Sequence, residues 1–411
     1  MADEKKEKPL TAAQFTSDPE VVSALRKLKK GRVYSDIIDA QGNQYVDLVM
    51  EGGGVLGISL LGYVYALEQA GLRFLGIGGT SAGAINAMMT AAAGTPAEAK
   101  SNKVIDVLAA LDMASFVDGD DDAKEFVEAF VGDAGRVKLA WKGMQVVDNI
   151  TDRLGLNPGD VFFEWLKTQL AKFDVIEVRD LEARLADLPE LTHRVTGKVI
   201  SKKAAAPLLA IVAADVTTET KAIFPQMADL YWKRHKSESP AKFVRASMSI
   251  PFFFEPFRVS DLPQNAERWE EVGYFGSLPT EVVLVDGGII SNFPIDLFHV
   301  PGVPISPTFG AKLGTDRTKP RTIEKPGQLA SAVYNASRQY ADTDFLAKHP
   351  DYRHLITYIE TGDHDWLAFS MPNADKIDLF RRGVIAAVAF LNGFDWAGYK
   401  KVREALVATT K

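Results

Sequence analysis

The chain has 411 residues, of which 46% are hydrophobic and 25% charged, and it has no cysteine. Disulfides, thiolate catalysis and Cys-ligated zinc are therefore excluded. Its 54 acidic and 47 basic residues leave a net charge of −7, the wrong balance for broad, charge-driven binding of nucleic acid. No stretch approaches the ~20 consecutive apolar residues of a membrane helix. The charged start, Met1 to Lys8, lacks the apolar run of a secretory leader. A cytoplasmic chain without signal peptide or transmembrane segment is expected, with peripheral contact at a membrane surface left open.

Residues 1–44 read as a solvated tail and a short basic helix, 21–30, that ends at Gly31. The apolar run Tyr45 to Met50 predicts a buried strand that passes into Glu51-Gly52-Gly53-Gly54. A helix over 58–70 stops at Gly71, a second strand covers 74–77, and a small-residue helix runs over 81–93 to Gly94. Strand, glycine turn, helix, strand, tight turn and helix is the pattern of a parallel α/β sheet. Residues 100–190 read as a helical insertion. Leu208 to Ala214 and Val282 to Val285 are further buried strands. Residues 301–325, rich in Pro, Gly and Thr, read as a long loop. Helices over 326–345 and 374–391 close the chain. The expected layout is an α/β core over 45–300 and a C-terminal helical segment over 301–411.

Two glycine-rich turns carry the chemistry. Gly52-Gly53-Gly54-Val55-Leu56-Gly57 fits a dinucleotide fingerprint, but that reading demands an acid at the end of the next strand. The strand ends instead in Gly78-Gly79-Thr80-Ser81. A P-loop fails because no Gly-Lys-Ser/Thr follows. The second turn, Gly79-Thr80-Ser81-Ala82-Gly83, is a G-x-S-x-G, in which a serine on a sharp strand-to-helix turn projects its hydroxyl clear of the sheet. The helix behind it turns its positive end to that oxygen. In a parallel sheet both turns emerge at one edge, so the glycine-rich turn can direct backbone N–H groups at an oxyanion formed by attack of Ser81.

A nucleophilic serine needs a base. None of the six histidines follows a strand in a recognisable turn. Asp286 does, ending the strand Val282 to Val285 ahead of Gly287 and Gly288. An Asx turn closing a strand is the plain alternative.

This ordered set resembles the patatin-like phospholipases. The segment Ala246-Ser247 to Pro251 is similar to that family's Ala-Ser-x-x-x-Pro, and Leu209 to Thr218 to its strand leading into an Asp-Thr turn. The resemblance spans about residues 45–300. It implies a three-layer α/β sandwich with a mostly parallel central sheet and a Ser–Asp dyad. Ser81 is then the nucleophile, with Gly79 and Gly83 shaping its elbow. Asp286 is the general base, turned by Gly287 and Gly288, and Gly52, Gly53, Gly54 and Val55 form the oxyanion hole. The substrate class implied is the acyl ester of a phospholipid, lysophospholipid or acylglycerol, with no metal or organic cofactor and no nucleic-acid partner. A catalytically silent or partner-activated lipid-binding protein on the same fold is the alternative. The sequence departs from the family at Leu56, where members often carry Arg or Lys, and this loosens the expectation of a phospholipid headgroup.

Other signals read as structural. The acidic run Asp118 to Asp122 fits three positions of a calcium loop, but Ala123 and Ala129 stand where Gly and Glu are required. Phe252-Phe253-Phe254 reads as core packing beneath the site in preference to a lipid-facing wedge, with strand alternation hiding at least one ring. Trp141, Trp165, Trp366 and Trp396 read as packing, and Arg381-Arg382 as a solvated helix face.

Overall fold

The computed structural model describes residues 8–119, 153–314, 320, 322–324 and 326–409. The start of the chain is less of a tail than expected. Helix α1 (Ala12–Thr16) buries Phe15 against Phe380, and α2 (Pro19–Leu25) is capped by the Asp18 carboxylate. A short strand β1 (Ile37–Ile38) precedes β2 (Gln44–Met50). The glycine turn leads into α3 (Gly57–Gln69), followed by β3 (Leu72–Thr80) and α4 (Ala82–Ala92). These elements follow the sequence pattern, with β3 longer than expected because Gly78 and Gly79 stay in the ladder.

Helix α5 (Ser101–Ala109) begins the insertion. Residues 120–152 lie outside the described ones, and with them Trp141 and Asp120 to Asp122. Beyond them come β4 (Gly155–Asn157), α6 (Asp160–Lys172), α7 (Val178–Ala186) and β5 (Thr192–His193). Asp118 anchors the start of α6: its two oxygens accept the Gly159 and Val161 N–H groups. Among the described residues no group of three or more His, Asp or Glu side chains could hold a metal ion.

The central strand β6 (Leu208–Asp215) is followed by β7 (Thr220–Phe224), the short helix α8 (Ala228–Tyr231) and α9 (Ala241–Ser247). Then come β8 (Phe252–Phe254), β9 (Phe257–Ser260), α10 (Ala266–Glu271) and β10 (Glu281–Asp286). Phe253 and Phe254 are buried and Phe252 is 64% exposed, so two of the three rings pack inside although strict alternation would place Phe252 and Phe254 on one face.

The C-terminal third corrects the sequence reading. The segment expected as a loop contains β11 (Thr308–Leu313), and a further strand, β12 (Ile356–Ile359), follows helix α11 (Pro326–Lys348). Helices α12 (Asn373–Gly393) and α13 (Trp396–Thr409) end the described chain. β11 lies beside β2 in the sheet, in the order β12-β11-β2-β3-β6, all parallel. β7, β10 and β9 extend it antiparallel. The chain therefore has the mixed α/β fold with a mostly parallel central sheet that the sequence predicts. Helix α12 is part of the core: a Cβ on Gly62 of α3 would sit 2.0 Å from the Phe380 carbonyl oxygen, and one on Gly383 1.8 Å from that of Ser59. Arg381 and Arg382 are not a bare basic face, for they pair with Asp18, Glu20 and Asp378.

Candidate active site

The site is built by two strands that meet end to end along one edge of β6. At residues 211–212, β6 pairs with β3 and β7; at 213–215 it pairs with β10 and β7. A strand has two edges, so β3 and β10 share one. They approach from opposite directions, β3 ending with Thr80 opposite Val212 and β10 with Asp286 opposite Ala213. One residue step along β6, about 3.3 Å, separates the two registers. Ser81 is thus brought against Asp286 although 205 positions of sequence (286 less 81) lie between them.

Ser81 sits at φ 53°, ψ −119°, a region sparsely populated by residues with a Cβ and costing about 1–3 kcal/mol. The surroundings hold it there. Its N–H donates 2.9 Å to Ser247 Oγ, which itself donates 2.6 Å to the Val212 carbonyl. The neighbouring Thr80 hydroxyl donates 2.9 Å to the Ser291 carbonyl. Glycine permits the close packing behind the turn: a Cβ on Gly83 would lie 2.2 Å from the Met50 carbonyl oxygen.

The Ser81 hydroxyl donates to the Met248 sulfur at 3.3 Å and lies close enough to the Asp286 carboxylate to favour its ionised form. Asp286 also accepts the Gly288 N–H at 2.7 Å. Burial raises the Asp286 pKa above the usual carboxylate range; the Ser81 hydroxyl, the Gly288 N–H and the Arg338 charge oppose that rise. A carboxylate shifted upward is a stronger base than a free one while still accepting a proton at neutral pH.

The glycine-rich turn lies alongside. A Cβ on Gly52 would be 3.1 Å from Ser81 Cβ. The Gly52 N–H donates to the Asn292 carbonyl and the Val55 N–H to the Trp366 carbonyl, each at 3.0 Å. The expectation that all of Gly52 to Val55 present free donors therefore narrows to Gly53 and Gly54, for which no acceptor stands among the described residues. Gly54 adopts φ 54°, and a Cβ there would collide with the Trp366 carbonyl oxygen at 2.1 Å. Leu56, where a cation was sought, is only 9% exposed and belongs to the apolar core.

Sequence reasoning missed the groups behind this turn. Glu51 is buried in an ion pair with Lys312 at 3.1 Å and accepts the Leu313 N–H at 2.6 Å. Asn292 donates 3.2 Å to Glu51 Oε1 and to the Gly52 carbonyl. Asp342 accepts from Ser291 Oγ and the Phe293 N–H, and burial raises its pKa to about 7. Trp366 was read as packing, yet it abuts the turn. Glu51, directly before Gly52, and Asn292, six residues beyond Asp286, lay within reach of the local motifs.

No helix among the described residues is long and apolar enough to cross a membrane. The chain is 28% identical over 357 residues to the uncharacterized protein YqhO of Bacillus subtilis strain 168, covering 84% of this chain and 98% of that one. Among solved structures it is similar to VipD of Legionella pneumophila, with a TM-score of 0.40 and 18% identity over 90% of this chain and 73% of that one. It is also similar to the ExoU–SpcU complex of the Pseudomonas aeruginosa type III secretion system, with a TM-score of 0.34, 15% identity, and 85% and 52% coverage. The model of the patatin-like phospholipase family matches residues 48–299, a span holding both glycine turns, Ser81, the Ala246–Pro251 segment and Asp286. The chain belongs to the patatin-like phospholipase family, a family of lipid hydrolases.

Proposed function

We propose that the protein hydrolyses carboxylic esters of lipids through an acyl-enzyme on Ser81, with Asp286 as general base. The observation that carries this reading is the strained Ser81 brought beside the buried Asp286 by the opposed ends of β3 and β10. Asp286 takes the hydroxyl proton as Ser81 Oγ attacks the ester carbonyl, and the electron pair of the C=O moves onto oxygen. The Gly53 and Gly54 N–H groups are the donors for that oxyanion, each worth ~10²–10³ in rate. Collapse of the intermediate breaks the bond to the alcohol, which leaves with the proton from Asp286. Water then attacks the acyl-enzyme, giving its proton to Asp286, and the fatty acid departs as Ser81 regains a proton.

Met248, buried with its sulfur 3.3 Å from Ser81 Oγ, gives the site an apolar wall that suits an acyl chain. Reaction with a fluorescent fluorophosphonate tests the reading. Wild type labels, Ser81→Ala does not, and Asp286→Asn labels far more slowly while keeping the wild-type melting profile. A folded wild type that stays unlabelled, with or without liposomes, refutes hydrolysis and leaves a silent lipid-binding protein. Fast labelling of folded Asp286→Asn refutes the dyad alone.

A further inference from the structure

Leu56 leaves the glycine-rich turn without the cation that the family often carries there, but a cation reaches the site from the C-terminal segment. Arg338, on α11, donates from Nη2 to Asn292 Oδ1 at 2.9 Å. Its guanidinium carbon lies 5.9 Å from the centre of the Trp366 ring, within the range of cation–π attraction. A Cβ on Gly288 would stand 3.4 Å from Arg338 Nε and 2.9 Å from an Asp286 oxygen, so the guanidinium and the carboxylate flank the same glycine.

Asn292 and Trp366, both in contact with Arg338, grip the glycine-rich turn from both ends. Asn292 holds its entry, with its carbonyl on the Gly52 N–H and its side-chain nitrogen on the Gly52 carbonyl. Trp366 holds its exit, with its carbonyl on the Val55 N–H. Gly53 and Gly54 lie between these fixed points.

We propose that Arg338 is a positioning residue of this active site: it locks Asn292 and Trp366 onto the glycine-rich turn and sets a fixed positive charge beside Asp286. This rests on the hydrolase reading above. The consequence for rate is geometric, because misplacement of reacting groups by about 1 Å can cost ~10²-fold. The consequence for pH is electrostatic, because a nearby positive charge favours the ionised carboxylate. The groups that act on Asp286 are the Ser81 hydroxyl, the Gly288 N–H and the Arg338 charge. Glu51, Lys312 and Asp342 instead engage one another and residues 291–293 and 313.

The test compares wild type, Arg338→Lys, Arg338→Gln and Arg338→Met on a p-nitrophenyl ester, with melting curves and full pH profiles of kcat and kcat/KM. Absence of activity and of fluorophosphonate labelling in wild type would mean that the hydrolase reading has failed, before Arg338 is in question. With wild type active, Arg338→Met is expected to lose ~10–100-fold in kcat, with KM within about twofold. The acid limb of its profile should move to higher pH. Arg338→Lys should keep the wild-type acid limb but recover only part of kcat, since an ammonium retains the charge without the planar fork. Should Arg338→Met not fold, Arg338→Gln against Arg338→Lys decides the matter through the same limb. An acid limb common to the charged and uncharged variants, or a kcat unaffected by all three, overturns the proposal.

Discussion

Ser247 gives the sharpest test of how the elbow is held. Its hydroxyl accepts the Ser81 N–H at 2.9 Å and donates to the Val212 carbonyl at 2.6 Å. Ser247 is 0% and Ser81 4% exposed, so Ser247→Ala strands a donor and an acceptor with little access to water. Each orphaned group costs about 1–3 kcal/mol. Relaxation of the strained Ser81 backbone, itself worth about 1–3 kcal/mol, returns a part. The expected net loss is about 2–5 kcal/mol, read as a lower urea midpoint with an unchanged denaturant slope. The same relaxation turns the Ser81 hydroxyl away from Asp286, so ester turnover measured well below the new midpoint should fall by at least ~10-fold. A stability loss below about 0.5 kcal/mol together with wild-type turnover would show that Ser247 neither carries these two bonds nor holds the elbow.

Two further outcomes follow from buried charge. Lys312 and Glu51 form a buried pair, and Lys312→Met leaves the Glu51 carboxylate uncompensated, at a cost of about 3–5 kcal/mol. Adding Glu51→Gln should recover much of that loss in chemical denaturation, and a double variant no better than the single one would contradict the pairing. Asp47, on β2, accepts the Gly76 N–H at 2.7 Å at the irregularity between Val46 and Leu48, and burial raises its pKa to about 7. The folded state then binds more protons than the unfolded one between about pH 3.8 and pH 7. The stability contributed by Asp47 is thus present below the lower value and lost as pH rises through the upper one. Asp47→Asn mimics the protonated acid, so its stability relative to wild type should grow from pH 4 to pH 8; a difference independent of pH would refute the assignment.

Local chemistry was legible where one stretch of chain determines its own conformation. The runs at 45–50, 208–214 and 282–285 are apolar enough to be buried on both faces, and each became a strand of the sheet. Gly79 to Gly83 reads as a strand-to-helix elbow because only small residues tolerate the approach of Met50. The Gly52 to Gly54 turn is legible for the same reason, although which of its N–H groups are free is not. That depends on the Asn292 and Trp366 carbonyls, which neighbouring residues do not specify.

What only the tertiary structure decided is longer in range. Thr308 to Leu313 contains Gly310 and Lys312 and lies in Pro- and Gly-rich sequence, so its local preference is for a loop. It is a strand because β2 on one side and β12 on the other satisfy its backbone, and Lys312 is tolerated inside because Glu51 meets it. Helices over 326–345 and 374–391 were legible in the sequence, but not that Phe380 would pack on α3 or that Arg338 would reach Asn292. The sequence by itself determined which residues are equipped to attack an ester, because hydroxyl, carboxylate and unobstructed backbone are properties of residue type and immediate neighbours. Their meeting was decided by the opposed ends of β3 and β10 on a single edge of β6, since strand pairing is a contact between distant segments whose register no local pattern encodes.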